Sequence, residues 1–294
     1  MLAKTNDLLR SAVAGDYAIG GFNVYNLEGV QAVISAAESA ESAVLLQIHP
    51  GSLTHGGLPL IALCVAAAQA ANVPVGVHLD HSSDIAPIVS AIDAGMTSVM
   101  ADGSHLSYEE NVAFVRHAVD LAHVSGVSVE GELGRISGTE DGLTVDSIHA
   151  RMTDPDEAAR FVAETGIDAL AVCIGNIHGK YPFPPKLDFD RLTQIREAVN
   201  VPLVLHGASG LDDDTIEQAI AVGIRKFNVN TEVRGAYLQA LKIQLAQQPE
   251  IDLVPLMTAV RDAMQAVVLE KIQVFKSVGS ASISAKSKQL ISKE

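Results

Sequence analysis

The sequence predicts an α/β fold, a (β/α)8 TIM barrel followed by extra C-terminal helices. Three observations lead there. Short apolar runs alternate with amphipathic or alanine-rich helical segments, the pattern of parallel strands joined by crossover helices. Eight such runs can be read, the number that closes a barrel. Polar and ionisable residues gather just past the runs, where a barrel presents its functional face. A doubly wound open sheet is the main alternative, but no Gly-x-Gly-x-x-Gly follows the first run.

The elements follow in order. Residues 18–23 form the first strand, ending at Asn23, and residues 27–39 the first crossover helix. Residues 43–48 form the second strand, and an alanine-rich helix over 60–71 carries Cys64. Asn72-Val73-Pro74 opens the third strand, 75–79, with a proline where its missing N–H does least harm. Asp80-His81 closes that strand, with His78 on the same face as Asp80. A helix over 85–94 ends at Gly95, and the strand 98–101 leads to Asp102. A helix over 109–125 ends at Gly126, a residue suited to a left-handed cap. The fifth strand, 128–133, carries Glu130 and Glu132, and a polar, glycine-bearing loop with Glu140 and Asp141 follows. After a helix over 155–165, the strand 169–174 leads to Asn176 and to His178-Gly179-Lys180. After a helix over 189–198, Asn200-Val201-Pro202 opens the strand 203–205, which leads to His206-Gly207-Ala208-Ser209-Gly210. A helix over 213–221 precedes the last strand, 226–229, with Asn228, Asn230 and Thr231 at its end. Residues 236–276 read as terminal helices. Residues 1–276 are therefore expected to form one domain and 277–294 a mobile tail rich in serine and lysine.

Composition narrows the function. The chain is 48% hydrophobic and 19% charged, which is globular, and its net charge of −15 argues against nucleic acid as a partner. A phosphorylated small molecule remains compatible, because local loops can be positive on an acidic protein. Two cysteines, read as buried small side chains, suit a reducing compartment, and the expected location is cytoplasmic. No signal peptide and no run of transmembrane length is read, so no membrane partner is expected.

His81, His178 and His206 occupy equivalent places after strands three, six and seven. A single strand-end histidine is ordinarily structural. Three converging imidazoles fit a catalytic zinc with an open position. His78 reads equally well as a residue orienting a ligand or as a satisfied core histidine. His49, His55, His105, His117, His123 and His149 lack the placement and are expected to be mostly solvated. Glu130 and Glu132 share a strand face, a costly arrangement that a nearby metal would compensate. The His206–Gly210 and Asn228–Thr231 loops each lead into a helix, where backbone N–H groups can bind phosphate, although Thr231 reads equally as an N-cap. Glu140 lies in a loop that could deliver a general acid or base on closure.

These segments resemble the zinc-dependent class II fructose-bisphosphate aldolase family, including its tagatose-bisphosphate branch. The resemblance covers nearly the whole chain and rests on Val77–His81, Val129-Glu130-Gly131-Glu132-Leu133-Gly134 with Gly138 and Glu140, Gly175–Tyr181, Leu205–Gly210 and Asn228–Glu232. It implies zinc on His81, His178 and His206, with Asp102 and Glu132 as alternative or second-site ligands. It gives Asp80 the proton of the hydroxyl at the new carbon–carbon bond, and Glu140 the proton of the glycerone-phosphate carbon. Asn23, Gly179, Lys180, Gly207, Ser209, Asn228, Asn230 and Thr231 would surround the ketose and its first phosphate. Arg261 resembles the arginine that binds the second phosphate, although a helix-surface arginine is the ordinary reading. A monovalent cation, Na+ or K+, is implied near the loop carbonyls. The tail and terminal helices are expected to support a homo-oligomer, dimer or tetramer.

The chemistry agrees with the resemblance. Retro-aldol cleavage leaves charge next to a carbonyl, which needs either a lysine Schiff base or a Lewis-acid metal, and three histidines favour the metal. The expected reaction is cleavage of fructose 1,6-bisphosphate to glycerone phosphate and glyceraldehyde 3-phosphate. The alternative substrates are tagatose 1,6-bisphosphate or another phosphorylated keto sugar or keto acid. A barrel that binds metabolites without catalysis is a third reading, opposed by the presence of Asp80, Glu140 and all three histidines. Asn230 departs from the family: many fructose-bisphosphate members carry aspartate there, and tagatose members alanine. Ser82 also departs, with little expected effect.

Overall fold

The computed structural model describes residues 1–140, 143–146, 150–179 and 185–282, without the side chains of Glu140, Leu143 and Val145. The first strands and helices in chain order are α1 (Thr5–Gly15), β1 (Ile19–Asn23), α2 (Leu27–Ser39), β2 (Val44–Ile48), α3 (Pro50–Ala70), β3 (Val75–Ser82) and α4 (Ile85–Asp93). Then come β4 (Ser98–Ala101), α5 (Tyr108–Val124), β5 (Ser128–Leu133), β6 (Ser137–Glu140), β7 (Leu143–Val145), α6 (Pro155–Thr165), β8 (Ala169–Val172) and β9 (Ile177–His178). The chain continues through α7 (Phe189–Ala198), β10 (Leu203–Leu205), α8 (Asp213–Val222), β11 (Ile224–Val229), α9 (Thr231–Gln247) and α10 (Leu253–Val274). Eight parallel strands close into a barrel in the order β1-β11-β10-β8-β5-β4-β3-β2. This is the (β/α)8 TIM barrel that the alternation predicts.

Strand parity divides the core. Outward residues such as Val44, Leu46, Val75, Val77, Val99, Val129, Leu170, Leu203 and Phe227 pack in one cluster with the surrounding helices. Ile19, Leu45, Met100, Ala169, Ala171 and Val204 form a second cluster with Leu8, Leu9 and Ala12 of α1. Alternate residues of a strand face opposite sides, so this second set fills the barrel interior, and α1 plugs its lower end. Sequence reading assigned no element to α1. The N-terminus adds a short backbone link, with Ala3 N–H donating to Val75 O at 2.9 Å.

The crossover helices start on side-chain caps. Asn26 accepts from Gly29 N–H, Asp212 from Thr215 N–H, and Ser107 with Glu110 makes a reciprocal capping box on α5. α3 starts at Pro50, ten residues before the expected helix, and bends at Gly57, where φ is 60° and Pro59 follows. It is the one described helix long and apolar enough to cross a membrane, yet it is the crossover between β2 and β3.

Four expectations need correction. β3 runs on to Ser82, through a register shift between Leu79 and Ser82. The strand expected over 169–174 ends at Val172, because side chains take over its donors: Cys173 N–H bonds Thr153 Oγ1, and Ile174 N–H bonds Asn176 Oδ1. The stretch expected as an irregular polar loop after β5 contributes to a small sheet, β7-β6-β9, beside the barrel. The first residues of the expected mobile tail are docked against the barrel. Ser277 and Ser280 are buried, Ser277 Oγ bonds Ser42 Oγ, and Ala43 N–H donates to Ser280 Oγ, both at 3.0 Å. The rest of that tail, 283–294, lies outside the described residues.

Candidate active site and metal centre

Three histidine rings meet at the C-terminal end of the barrel. The centroid of His81 lies 4.9 Å from that of His178 and 4.6 Å from that of His206, and one nitrogen from each of the three falls within 4.8 Å of the others. His81 Nε2 faces His206 Nδ1 at 2.8 Å. Each histidine is positioned differently. His81 sits in the β3 irregularity at φ 43°, a left-handed conformation that costs a non-glycine residue ~1–3 kcal/mol and re-aims its side chain. His206 follows β10 directly, and its carbonyl accepts from Asn176 Nδ2 at 3.1 Å. His178 is carried on β9, paired with Gly138 of β6.

Carboxylates stand behind the imidazoles. Asp102 Oδ2 lies 2.8 Å from His81 Nδ1, and Glu130 Oε1 lies 2.8 Å from His206 Nε2. This leaves Nε2 of His81 and Nδ1 of His206 directed at the common centre, the carboxylate–histidine arrangement that orients metal ligands. Burial opposes charge on His81, but the carboxylates of Asp80 and Asp102 outweigh it and hold the imidazole well above its usual pKa. Burial lowers that of His206. Burial would raise Glu130, but Lys226 and His206 hold it below the usual carboxylate range. Burial and the neighbouring Asp102 push Glu132 well above it.

The donor set fits zinc. Imidazole nitrogens at ~2.0–2.1 Å from a tetrahedral zinc stand ~3.3 Å apart, and the three nitrogens here lie within 4.8 Å of one another. Glu132 Oε2 is buried without a hydrogen-bond partner, 3.9 Å from His81 Nδ1. A cation would satisfy it. His81, Asp102 and Glu132 form a second group of donors within 4.8 Å of one another.

Beside the histidines, amides clamp Asp80. Asn23 Nδ2 donates to Asp80 Oδ2 at 2.9 Å, and Asn228 Nδ2 to Asp80 Oδ1 at 3.0 Å. Gln47 Nε2 donates to Asn23 Oδ1 at 3.2 Å and so fixes which end of the Asn23 amide meets the carboxylate. Gln47 lies across Gly21, where a Cβ would fall 2.1 Å from its Oε1. Asp80 is completely buried and aimed at the centre by neutral donors, as a general base requires.

The loops expected to hold a phosphorylated substrate surround this centre. Gly179 and Gly207 have φ of 88° and 67°, and Ser209 is buried. Gly210 N–H donates to Glu232 Oε1 at 2.9 Å. Asn230, not Thr231, is the N-cap of α9, and Asn230 Oδ1 accepts from Tyr25 Oη at 2.6 Å. Glu140 ends β6, but its side chain is not described, and Lys180 lies outside the described residues. Arg261 is on α10, bonded to Asp262, in an outer groove with residues of α2 and α3, and is not among the groups gathered at the histidines.

Sequence reading missed three contributors. His49, expected to be solvated, is 2% exposed, with its ring 6.2 Å from His81. It directly follows a strand, so the signal used for the other histidines was present. Gln47 and Lys226 lie inside runs read only as strands, and parity with Leu45 and Asn228 is the signal that places them inward. The unpredicted partner of Glu130 is Lys226, whose Nζ donates to Oε2 at 2.7 Å. The compensation expected from a metal is thus partly an internal ion pair. His78 is a core histidine: its Nδ1 lies 2.8 Å from Ser98 Oγ, and burial pushes its pKa down to about 3. Cys64 and Cys173 are free and buried, as expected.

The chain is similar to known proteins over nearly its whole length. The class II fructose-bisphosphate aldolase family model matches residues 3–280. The crystal structure of the YdjI aldolase from Escherichia coli K12 is 39% identical, covers 96% of this chain and 100% of its own, and superposes with a TM-score of 0.84. A candidate fructose-1,6-bisphosphate aldolase from Coccidioides immitis is 37% identical over 95% of this chain and 98% of its own, with a TM-score of 0.89. The fructose-bisphosphate aldolase of Campylobacter jejuni, 22% identical over 95% and 97% of the two chains, shares the fold with a TM-score of 0.79.

Proposed function

Because the chain belongs to the class II fructose-bisphosphate aldolase family, a family of carbon–carbon lyases, we propose that it is a zinc-dependent ketose-bisphosphate aldolase. Its reaction is the reversible cleavage of fructose 1,6-bisphosphate to glycerone phosphate and glyceraldehyde 3-phosphate. The observation that carries this reading is the convergence of His81, His178 and His206 beside an amide-clamped Asp80.

His81, His178 and His206 would hold the zinc, with Asp102 and Glu132 as alternative ligands. The zinc supplies a Lewis acid that stabilises negative charge developing on the ketose oxygens. Asp80 takes the proton of the C4 hydroxyl as the C3–C4 bond breaks, and Asn23 and Asn228 keep its oxygens oriented for that transfer. Glu140 returns a proton to C3 of the glycerone-phosphate half. Backbone N–H groups at Gly179, Gly207 and Ser209, with Asn228, Asn230 and Thr231, receive the ketose and its first phosphate. Lys180 and Arg261 are assigned to the phosphates, and a monovalent cation to the loop carbonyls, by family resemblance alone; the terminal helices suit a dimeric or tetrameric assembly, and the two buried cysteines a cytoplasmic location.

Asn230 supports a second reading, tagatose 1,6-bisphosphate or another phosphorylated keto substrate. It is 4% exposed and fixed by Tyr25, and it replaces the aspartate and alanine typical of the two branches. The test measures glycerone-phosphate release from both bisphosphates with chelated and zinc-restored protein. Zinc-dependent release supports the mechanism, and the ratio of rates assigns the C4 preference. Activity that survives chelation, with borohydride trapping of substrate on a lysine, would refute it.

A further inference from the structure

Beneath the three histidines runs a chain of buried contacts. Lys226 lies in β11, between Ile19 of β1 and Val204 of β10, and its side chain is fully buried inside the barrel. Its Nζ donates to Glu130 Oε2 at 2.7 Å, and the other oxygen, Oε1, lies 2.8 Å from His206 Nε2. On the far side of Glu130 stands His78, whose Nε2 is buried without a hydrogen-bond partner, 3.9 Å from the oxygen that Lys226 holds.

We infer that Lys226 is a positioning residue for the metal centre. Its ammonium anchors Glu130 so that the carboxylate fixes His206 with Nε2–H toward Glu130 and the Nδ1 lone pair toward His81 and His178. The inference rests on the zinc site proposed above. A carboxylate accepts only, so His206 Nε2 must donate to it, and a neutral ring then keeps its lone pair on Nδ1. Without Lys226, Oε2 loses its only strong donor among the described residues, and the nearest alternative there is the unpartnered His78 Nε2. Rotation of the carboxylate toward His78 draws Oε1 away from His206 and frees that ring to turn. Lys226 is too deep to act as a surface charge, and it touches no metal donor itself.

The experiment compares zinc affinity, by chelator competition, for wild type, Lys226→Met, Glu130→Gln and the double variant. Each single variant should lose about 10–100-fold in affinity, the range typical of partners that orient a metal ligand. The double variant should match Glu130→Gln, because Lys226 acts only through Glu130. Nitrogen-15 spectra of metal-free wild type should show His206 as the Nε2–H tautomer. A folded Lys226→Met protein with wild-type zinc affinity overturns the inference, and so do losses that multiply in the double variant. Where Lys226→Met does not fold, the wild-type spectrum decides: an Nδ1–H tautomer overturns the inference and Nε2–H upholds it. A wild type that takes up no zinc removes the zinc site on which the inference rests.

Discussion

Asp80 and Asp102 outweigh the burial of His81 and hold its imidazole well above the usual pKa, favouring the protonated ring, whose Nε2 points at His206 Nδ1 from 2.8 Å. A metal arriving between these nitrogens must displace that proton. Zinc affinity is therefore expected to rise about tenfold per pH unit above the ordinary histidine pKa of ~6.5, until His81 loses its proton unaided. Chelator competition at several pH values measures this; a flat profile would remove the His81 proton from the exchange. His78 has the opposite sign. Its folded pKa of about 3 lies below its unfolded value, so the unfolded chain binds the extra proton. The His78 contribution to stability is complete above pH ~6.5 and is lost as the pH falls toward its folded pKa, at about 1.4 kcal/mol per pH unit. The raised His81 contributes below pH ~6.5 and loses its share as the pH rises through its folded pKa. Urea unfolding of chelated protein between pH 6.5 and 5 should show a slope that His78→Gln reduces. Asp80→Asn removes the base and keeps only one of its two amide contacts, since the new amide nitrogen cannot accept, so turnover should fall at least ~100-fold in protein that still takes up zinc. Turnover close to wild type would reassign the base.

At the scale of elements, β9 decides where His178 stands. It is only two residues long and pairs with β6 outside the barrel, so its position depends on the close approach of Gly138. Gly138 has φ 111°, and a Cβ there would lie 2.1 Å from His178 O. Gly138→Ala should therefore push His178 from the centre and lower zinc affinity on the order of tenfold or more, while the barrel still folds. Circular dichroism and metal titration separate the two effects; an intact affinity would show that β9 tolerates the shift. Bend and bulge also place His81, because the register of β3 slips after Leu79 and turns the next side chains toward the mouth.

For the whole molecule, the two ends of the barrel carry different duties. The lower end is closed by α1, whose Leu8 and Leu9 pack against Leu45, Met100 and Val204. Leu8 is fully buried, so Leu8→Ala should cost ~2–5 kcal/mol of stability. The reaction site is at the other end. Zinc affinity and kcat should therefore hold at a temperature where the variant is folded. A variant of normal stability would show that α1 is dispensable, and one with impaired kcat would show that the ends are coupled.

The sequence by itself determined the barrel and the membership of its mouth. Strand-length apolar runs bury their outward faces in only a few ways, and polar residues at equivalent strand ends must share one side of a parallel barrel. His81, His178, His206, Asp80 and Asp102 were legible for that reason. What sequence could not give was contact across the barrel. Gln47, Lys226 and His49 come from strands or strand ends remote in the chain from their partners, and only closure of the sheet brings Lys226 to Glu130 and Gln47 to Asn23. The plug formed by α1 and the docking of Ser277 and Ser280 against Ser42 and Ala43 were hidden for the same reason. Their partners are long-range, and local pattern reports the face a residue turns inward but not the neighbour it meets there.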